Sequence, residues 1–307
     1  MMLFLIWIAQ LICIPLFSPL CVGVIRKMKA RLQNRQGASI VQPYYDIWKL
    51  LHKDEVISAD ASWIFSATPY IVFTTTLVVG ASIPVFTLLM PTVVTGDILA
   101  IAYLLALGTF FLALAGMDVG SAFGGFGSSR EMTLAALTEG GLIFSLLALA
   151  VLSGHSNVFA ISGAISTVDI QNILPISLAF MGFCIALLSE TARFPFDNPA
   201  THLELTMIHE AMILEYSGKK LALLEWASAN KLLIFITLGA NLFLPWGMSH
   251  DISGAGTGFV IFAVKVLLFC GAIALLESSM SKLRFFKLPE LLLASFILSS
   301  IAISLIK

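Results

Sequence analysis

Long apolar runs, separated by short polar segments, constrain the fold of this sequence more than any other feature. Residues 1–25 contain no charged side chain, and the first charge lies on Arg26. Apolar residues make up 59% of the 307 residues, and charged residues only 11%. A helix needs about 20 apolar residues to cross a hydrocarbon core of about 30 Å. The sequence therefore predicts a protein built from membrane-spanning helices.

Eight runs approach the length that a membrane span requires. Their predicted bounds are Leu3–Ile25, Trp63–Met90, Ile98–Met117, Met132–Leu152, Ile173–Thr191, Leu232–Gly247, Gly258–Leu276 and Leu291–Ile306. Lipid offers no water to unpaired backbone groups, so such spans must be helical. We predict an all-α polytopic membrane protein with a single transmembrane domain over residues 1–307. Polar segments are expected at residues 26–62 and 191–229, and a glycine-rich loop at Gly120–Ser129.

Most of the Lys and Arg residues outside these spans occupy alternate loops. They lie in residues 26–62, at Arg130, in residues 193–220 and in residues 282–287, whereas residues 91–97, 153–172 and 248–257 contain none. Positively charged loops face the cytoplasm, so we expect a multi-pass protein of the inner (plasma) membrane with both termini on the outer side. Residues 1–24 lack the basic start and cleavage site of a signal peptide, and we expect them to form the first span.

Charge and cysteine content argue against several functional classes. The formal net charge is −1, and nothing suggests nucleic-acid binding. The cysteines are scattered and form no Cys-x-x-Cys pair: Cys13, Cys21, Cys184 and Cys270. Iron–sulfur clusters need grouped thiolates, so we expect no redox cofactor in this chain. His209-Glu210 begins like a His-Glu-x-x-His zinc motif, but Ile213 stands at the fifth position, and we predict no metal site.

Charged side chains inside the spans are the first candidates for function, because a charge is costly in hydrocarbon. Glu139 and Lys265 lie within predicted spans, and Glu190 and Glu277 lie at span ends. Lys265 and Glu277 are twelve residues apart, about 18 Å along a helix, so they cannot pair directly. Glu190 is expected to pair with Arg193 three residues later. These groups are either structural ion pairs or members of a proton path, and the sequence leaves both open.

The first polar segment contains an amphipathic helix. In residues 40–51, apolar side chains recur with helical spacing at Tyr44, Ile47, Trp48 and Leu51. Asp46 and Lys49 fall on the other side of this helix. Such a helix lies along a membrane surface or docks a cytoplasmic partner.

The second polar segment, Glu190–Gly218, combines apolar residues with several carboxylates. Pro195 and Pro199 are expected to break the fifth helix, after which a helical pattern resumes up to a plausible stop at Gly218. Histidines and glutamates then fall on separate faces: His202, Thr206 and His209 on one, Glu204 and Glu215 on another. This pattern predicts a half-buried helix that lines a polar cavity.

Five motifs are distributed over nearly the whole chain. They are Arg31–Arg35 with Gly37, Gln42-Pro-x-x-Asp46-x-x-Lys49, Glu190 leading into Arg193-Phe-Pro-Phe-Asp197, Glu215-Tyr-Ser-Gly218, and Glu277-x-Ser-Met-x-x-Leu-Arg284. Together they resemble the family of membrane subunit 1 of respiratory complex I. Within that family, Thr201–Glu210 looks similar to hydrogenase 4 component C and formate hydrogenlyase subunit 4. Complex I members carry Glu-Ala-Glu where Ala200-Thr-His stands here, a departure in the family's quinone-entry region.

The resemblance implies a subunit with eight spans and no redox cofactor of its own. It implies partner subunits that carry a [NiFe] centre and iron–sulfur clusters, namely a [NiFe] hydrogenase large subunit and iron–sulfur subunits. Antiporter-like membrane subunits that move H⁺ or Na⁺ are further expected partners. We therefore expect a non-catalytic membrane anchor and coupling subunit of a complex I-like [NiFe] hydrogenase of the formate hydrogenlyase or hydrogenase-4 type.

On this basis we assign two sets of residues. The expected proton or coupling relay comprises Glu139, Glu190, Asp197, Glu204, Glu210, Glu215, Lys265 and Glu277. The expected partner-docking residues are Arg26, Arg31, Arg35, Gln42, Asp46, Lys49, Arg130, Arg193, His202 and His209. In a low dielectric, a charge that changes on the redox side shifts its neighbours strongly, and this would carry the change inward.

Three other interpretations stay open. A quinone-binding subunit of an NADH- or ferredoxin-linked dehydrogenase keeps the family and changes the chemistry. A free-standing secondary transporter fits the many spans, which Pro69, Pro84 and Pro245 interrupt, although no internal repeat is evident. A passive anchor predicts that neutralising Glu139 or Lys265 changes stability alone.

Overall fold

The computed structural model describes residues 2–58, 60–89, 96–166, 172–197, 207–249, 251 and 254–306. Within these ranges the chain forms eleven α-helices and no β-strand. The helices are α1 (Met2–Leu32), α2 (Gln42–Leu51), α3 (Trp63–Ser82), α4 (Ile98–Asp118), α5 (Ala122–Ser153), α6 (Val158–Ile165), α7 (Ile173–Glu190), α8 (His209–Ile213), α9 (Gly218–Leu238), α10 (Ala255–Ser279) and α11 (Leu288–Leu305). A π-helical turn, Gly239–Phe243, continues α9.

Eight helices in the described part of the chain are long and apolar enough to cross a membrane. They span Ile8–Leu32, Trp63–Ser82, Ile98–Asp118, Ala122–Ser153, Ile173–Glu190, Gly218–Phe243, Ala255–Ser279 and Phe285–Leu305. The prediction of an all-α polytopic membrane protein with eight spans is therefore confirmed. We name the end of the bundle where α1 ends and α9 begins the basic end, because its loops carry most Lys and Arg residues. Its cytoplasmic placement stays a prediction from loop charge.

The glycine-rich stretch Gly120–Ser129 is not the loop predicted from the sequence. α5 begins at Ala122, where the Ser121 hydroxyl caps the helix by accepting the Gly124 backbone N–H at 3.1 Å. A Cβ added at Gly124 would overlap the Gly116 carbonyl group of α4. The glycine therefore serves close packing of two helices, as small residues do between membrane helices.

The sixth membrane helix begins at Gly218 and not at Leu232, so the glycine that was predicted to end a helix starts one. Gly218 has a φ of +53°, and a Cβ there would lie 2.7 Å from the Asp54 carbonyl oxygen. Only glycine fits this left-handed, crowded position without strain. As a consequence, Glu225 and Lys231 lie within the sixth span, whereas the prediction left them outside it.

The second membrane helix is shorter than predicted. α3 ends at Ser82 and not at Met90. Pro84 follows closely and has no backbone N–H to donate. The carbonyl groups of Pro84 and Val85 instead accept the Asn241 side-chain amide at 2.9 and 2.7 Å. Side-chain hydrogen bonds thus satisfy the carbonyl groups of the non-helical backbone at this end of the bundle. A membrane protein requires such partners, because lipid offers none.

The core of the bundle is an apolar cluster to which α1, α7 and α9 contribute. Ile14, Phe183 and Phe235 are fully buried there. The rings of Phe183 and Phe235 lie 6.2 Å apart between centroids. Lipid is as apolar as these side chains, so close van der Waals contact rather than expulsion of water holds membrane helices together.

The segment that contains the short helix α8, residues 207–217, is fixed against α3 and α5. The Tyr216 hydroxyl donates to the Phe65 carbonyl at 2.9 Å, and the two rings stack with centroids 4.0 Å apart. A Cβ added at Gly127 of α5 would lie 2.9 Å from the Ile208 carbonyl oxygen. These contacts place His209, the first residue of α8, at a defined position beside the bundle interior.

We expect Gly124→Ala to destabilise the packing of α4 against α5, because overpacking costs about 1–3 kcal/mol. Gly125→Ala is the matched control, since its Cβ would meet nothing within 4 Å. Replacing a glycine within a helix stabilises by about 0.5–1 kcal/mol when space allows. The thermal unfolding midpoints of the two variants in detergent should therefore move in opposite directions. Equal shifts would contradict the tight helix crossing.

Candidate functional site

A buried ion-pair cluster at the basic end joins three parts of the bundle. The Glu277 carboxylate of α10, on a residue 5% exposed, binds Lys29 Nζ of α1 at 3.0 Å and Arg193 Nη1 at 3.0 Å. Arg193 follows α7 and is itself buried. The Lys29 ammonium also lies 4.8 Å from the centroid of the Phe194 ring. Removing one partner of a buried pair costs about 3–5 kcal/mol, so this cluster fixes the three parts together.

Asp197 fastens the segment after α7 to α8 and to the chain beyond α10. Its buried carboxylate accepts Lys282 Nζ at 2.6 Å. It also accepts the backbone N–H groups of Ile208 and His209 at 3.2 and 3.1 Å. Hydrogen bonds to a charged group are stronger than neutral ones, so Asp197 sets the position at which α8 begins.

A further ion pair lies deeper in the bundle. Lys231 Nζ of α9 lies 2.7 Å from Glu190 Oε2 at the end of α7. The same ammonium donates to the Thr109 hydroxyl of α4 at 3.1 Å. All three residues belong to membrane-length helices. A charged pair between helices of membrane length is a functional candidate by default, because a charge with a merely structural role is costly in hydrocarbon.

The predicted pair of Glu190 with Arg193 is wrong, because the chain turns between them. Ala192 adopts a left-handed conformation with a φ of +49°. The Arg193 N–H then bonds the Leu188 carbonyl at 2.9 Å, as in a Schellman motif that ends a helix. Because of this turn, the Arg193 side chain pairs with Glu277, and Glu190 pairs with Lys231.

A cavity of about 670 Å³ lies at the basic end, between the first polar segment and the residues after α7. We name it the entrance cavity. Its charged lining residues are Arg26, Lys29, Arg35, Asp46, Arg193, Asp197, Glu210, Glu225 and Glu277. Both buried carboxylates described above, Glu277 and Asp197, therefore belong to its wall. A charge that changes in this cavity would act on them over a short distance.

A smaller cavity of about 40 Å³ adjoins the first and reaches the deeper ion pair. We name it the inner cavity; its polar lining includes Thr109, Glu131, Glu190, His209 and Lys231. One water molecule needs about 10–15 Å³ of such space. The inner cavity can therefore hold a few water molecules beside the Glu190–Lys231 pair.

A third space, the lateral groove, lies between α4 and α5 on the side of the bundle. It has a volume of about 300 Å³, and its lining includes Tyr103, Thr109, Phe110 and Glu139. Tyr103 is 61% exposed and Phe110 46% exposed, so the groove faces outward. Thr109 lines both this groove and the inner cavity. Thr109 thus lies both beside the groove that Glu139 lines and beside the deeper ion pair.

The predicted relay residue Lys265 has a different setting. Its ammonium donates to the carbonyl groups of Ala240 at 3.2 Å and Leu244 at 2.5 Å. The Ala240 carbonyl belongs to the π-helical turn that continues α9, and the Leu244 carbonyl follows it directly, where the helix carries partial negative charge. Lys265 therefore caps an interrupted helix, and its described partners do not include Glu277, as the spacing predicted.

The predicted amphipathic helix is present as α2, but its apolar face is only partly covered. Tyr44, Ile47 and Leu51 are partly buried, whereas Trp48 is 66% exposed. The predicted docking residues of this region are largely exposed: Arg26, Arg31, Arg35, Asp46 and Lys49. Gln42 Nε2 donates to Asp46 at 2.9 Å, and Arg26 lies 4.0 Å from the same carboxylate.

The remaining predicted site residues differ in their settings. The Arg130 guanidinium donates to the Met207 carbonyl at 3.3 Å and lies 5.9 Å from the Phe285 ring centroid. Glu215 is exposed. His202 and Glu204 lie outside the described residues.

Three lysines that complete the ion pairs were missed by the sequence analysis: Lys29, Lys231 and Lys282. From the sequence, Lys29 and Lys282 were interpreted only as basic loop residues that set the topology. Lys231 stood one residue before the predicted sixth span. An uninterrupted helical pattern from Gly218 onward would have placed it inside. Glu131 and Glu225, which line the cavities, were missed for the same reason, since both helices begin earlier than predicted.

Two titratable groups outside the spans have pKa values that are shifted by their surroundings. Burial, reinforced by the carboxylates of Glu225 and Asp197, raises the pKa of Glu210 to about 7. Burial and the nearby Lys231 ammonium lower the pKa of the His209 imidazole to about 4. Near neutral pH, His209 is therefore uncharged, whereas Glu210 exists in both protonation states.

Metal ligands are not grouped in the parts of the chain that the structure describes. No three His, Cys, Asp or Glu side chains there lie close enough to hold a metal ion. Cys13, Cys21 and Cys270 are free and buried, and Cys184 is free and partly buried. The chemistry of the described site is therefore that of carboxylates, cations and one imidazole.

Comparisons with known proteins agree with this architecture. A family model described as NADH dehydrogenase matches residues 5–307. Hydrogenase-4 component C of Escherichia coli (strain K12) is 34% identical over 297 residues, which cover 96% of this chain and 93% of that protein. Formate hydrogenlyase subunit 4 of the same strain is 33% identical over 281 residues, 91% of each chain. A chain of the membrane-bound sulfane sulfur reductase, an archaeal respiratory membrane complex, shares the fold, with a TM-score of 0.80 over 99% of both chains and 21% identity.

Eight membrane helices with a charged cavity at one end, together with these relatives, define a multi-pass inner-membrane subunit of the complex I-like class. The chain belongs to the NADH dehydrogenase family, whose model matches it almost from end to end. Its relatives at 34% and 33% identity are subunits of hydrogenase-4 and formate hydrogenlyase. The resemblance inferred from the motifs is therefore confirmed.

We expect Glu210→Gln to raise the stability of the chain more at about pH 8 than at about pH 5. The raised pKa means that folded Glu210 holds its proton more tightly than the unfolded chain does. Stability is therefore lost as the pH rises from the ordinary carboxyl range through about 7, and glutamine abolishes that loss. Thermal midpoints in detergent at the two pH values measure the effect, with the exposed Glu215→Gln as control. An equal gain at both pH values would contradict this assignment.

Proposed function

We propose that this chain is the membrane anchor and coupling subunit of a complex I-like, membrane-bound [NiFe] hydrogenase of the hydrogenase-4 or formate hydrogenlyase type. Its relatives in hydrogenase-4 and formate hydrogenlyase support this type of complex. The observation that carries the coupling role is the buried Glu277 carboxylate, which holds two cations in the wall of the entrance cavity. Such a group responds to charge changes at the mouth of the bundle.

The basic end is the proposed docking surface for the cytoplasmic arm. It presents exposed basic side chains, among them Arg31, Arg35 and Lys49, and the uncovered indole of Trp48. A charged rim around exposed aromatic side chains is typical of protein interfaces. The docked partners would be the [NiFe] large subunit and iron–sulfur subunits, which would hold the [NiFe] centre and the clusters.

Electrostatic coupling would carry the redox event inward. The Glu277 cluster and Asp197 line the entrance cavity together with Glu210, whose pKa of about 7 allows it to change charge near neutral pH. In a site of low dielectric, unit charges a few ångströms apart interact by several kcal/mol. A charge gained or lost in the docked arm would therefore shift the protonation of these groups.

The Glu190–Lys231 pair would continue the path toward a neighbouring membrane subunit. The pair lines the inner cavity, and Thr109 connects it to the lateral groove beside Glu139. The exposed Tyr103 and Phe110 of that groove give an apolar surface suited to another membrane helix. We assign the groove to an antiporter-like subunit that moves H⁺ or Na⁺.

A quinone-binding subunit of an NADH- or ferredoxin-linked dehydrogenase is the second candidate function. The volume of the entrance cavity favours it, because ligand pockets commonly have about 300–1,000 Å³ and this cavity has about 670 Å³. The density of charged lining residues argues against it, since such pockets are mostly apolar. Protection of the first polar segment by a quinone analogue would support this second candidate.

Co-purification tests the proposed assembly. The tagged chain would be extracted in mild detergent, and its partners identified by mass spectrometry. We expect a [NiFe] large subunit, small iron–sulfur proteins and antiporter-like membrane subunits, with hydrogen-dependent dye reduction by the purified complex. A flavin- and quinone-linked set would favour the dehydrogenase instead. A lone, stable chain would contradict both and favour a free-standing transporter.

A further inference from the structure

The boundary between the entrance cavity and the inner cavity holds one titratable side chain among the described residues. Four residues line both cavities: Thr191, Ala192, Ser228 and His209. Of these, only His209 carries a group that exchanges protons in the physiological pH range. Among the side chains of this boundary, His209 is therefore the one best suited to accept a proton from one cavity and release a proton into the other.

We propose that the His209 imidazole transfers protons between the entrance cavity and the inner cavity. The proposal rests on the coupling function above and names the residue that joins its two halves. One ring nitrogen accepts a proton from Glu210 or from water in the entrance cavity, while the other nitrogen releases its proton to water in the inner cavity. The ring then flips by 180°, so that its N–H again faces the inner cavity and its bare nitrogen faces the entrance cavity, and one proton has crossed.

Proton donors and acceptors lie on both sides of the ring. The entrance cavity contributes Glu210 and Glu225, and the inner cavity contributes Glu131 and Glu190. Glu131 is the proposed acceptor on the inner side, because Glu190 is already paired with Lys231. The ring thus lies at the boundary between two groups of carboxylates.

The backbone of His209 is held in place, and its ring has a suitable protonation state. The His209 backbone N–H bonds the Asp197 carboxylate, which Lys282 holds at 2.6 Å. The low pKa of the imidazole, about 4, keeps it neutral near pH 7. A neutral imidazole has one donor and one acceptor nitrogen, as the transfer requires.

The test uses the complete complex reconstituted in vesicles, with His209→Ala in this chain. Proton translocation and hydrogen-dependent dye reduction are measured in the same preparation. We expect translocation per electron transferred to the dye to fall by about tenfold or more, since positioned proton transfer contributes at least that much. His155→Ala is the matched control, because His155 is exposed in the loop after α5.

Added imidazole separates lost proton transfer from lost packing. The entrance cavity, at about 670 Å³, has room for it, so imidazole in the buffer should restore translocation by the His209→Ala complex. His209→Gln keeps most of the side-chain volume and should lose translocation equally, which covers the case in which the alanine variant fails to assemble. Undiminished translocation by the glutamine variant, or an alanine variant that imidazole does not rescue, would overturn the proposal.

Glu139→Gln in the same vesicles distinguishes this proposal from the proposed function. If Glu139→Gln loses translocation and the His209 variants retain it, the transfer role of His209 fails and the coupling function stands. If all of these variants translocate protons normally, both fail. We expect Glu139→Gln and both His209 variants to lose proton translocation, and imidazole to restore it in His209→Ala alone.

Discussion

The bonds of the Glu277 carboxylate to Lys29 and Arg193 are the contacts on which the rest of the site depends. They tie α1, the end of α7 and α10 together at one buried point. Breaking such a pair from one side leaves an uncompensated charge away from water, which is strongly unfavourable. The geometry of the entrance cavity, and with it the position of Asp197 and α8, follows from this anchor.

From the entrance cavity, the polar groups lead into the bundle in discrete steps. His209 stands between the entrance cavity and the inner cavity, and Thr109 between the inner cavity and the lateral groove. The Glu190–Lys231 pair lines the inner cavity together with both of these residues. Each step brings together groups from different helices, so a small movement of one helix would alter the next contact. Coupling through such a series needs no redox cofactor in the chain itself.

The span count, the helical class and the family could be predicted from the sequence because hydropathy and charge act locally along the chain. The ion-pair partners could not be predicted, because they depend on where helices begin and turn. The sequence spacing predicted a pair of Glu190 with Arg193, but the left-handed turn at Ala192 separates the two side chains. Lys231 was missed since Gly218 was interpreted as a helix end, although the crowding against Asp54 makes it a helix start. Cavities assembled from distant segments leave no periodic signal.

The most direct test of coupling through the membrane is the ratio of ions translocated to electrons transferred in a Glu190→Gln/Lys231→Met double variant of the complex. Removing both charges leaves no unpaired buried charge, so the complex should assemble and reduce dye with hydrogen. We expect ion translocation then to fall to the background level of empty vesicles. A double variant that translocates ions with the unaltered ratio would show that the pair is structural and that coupling does not pass through it.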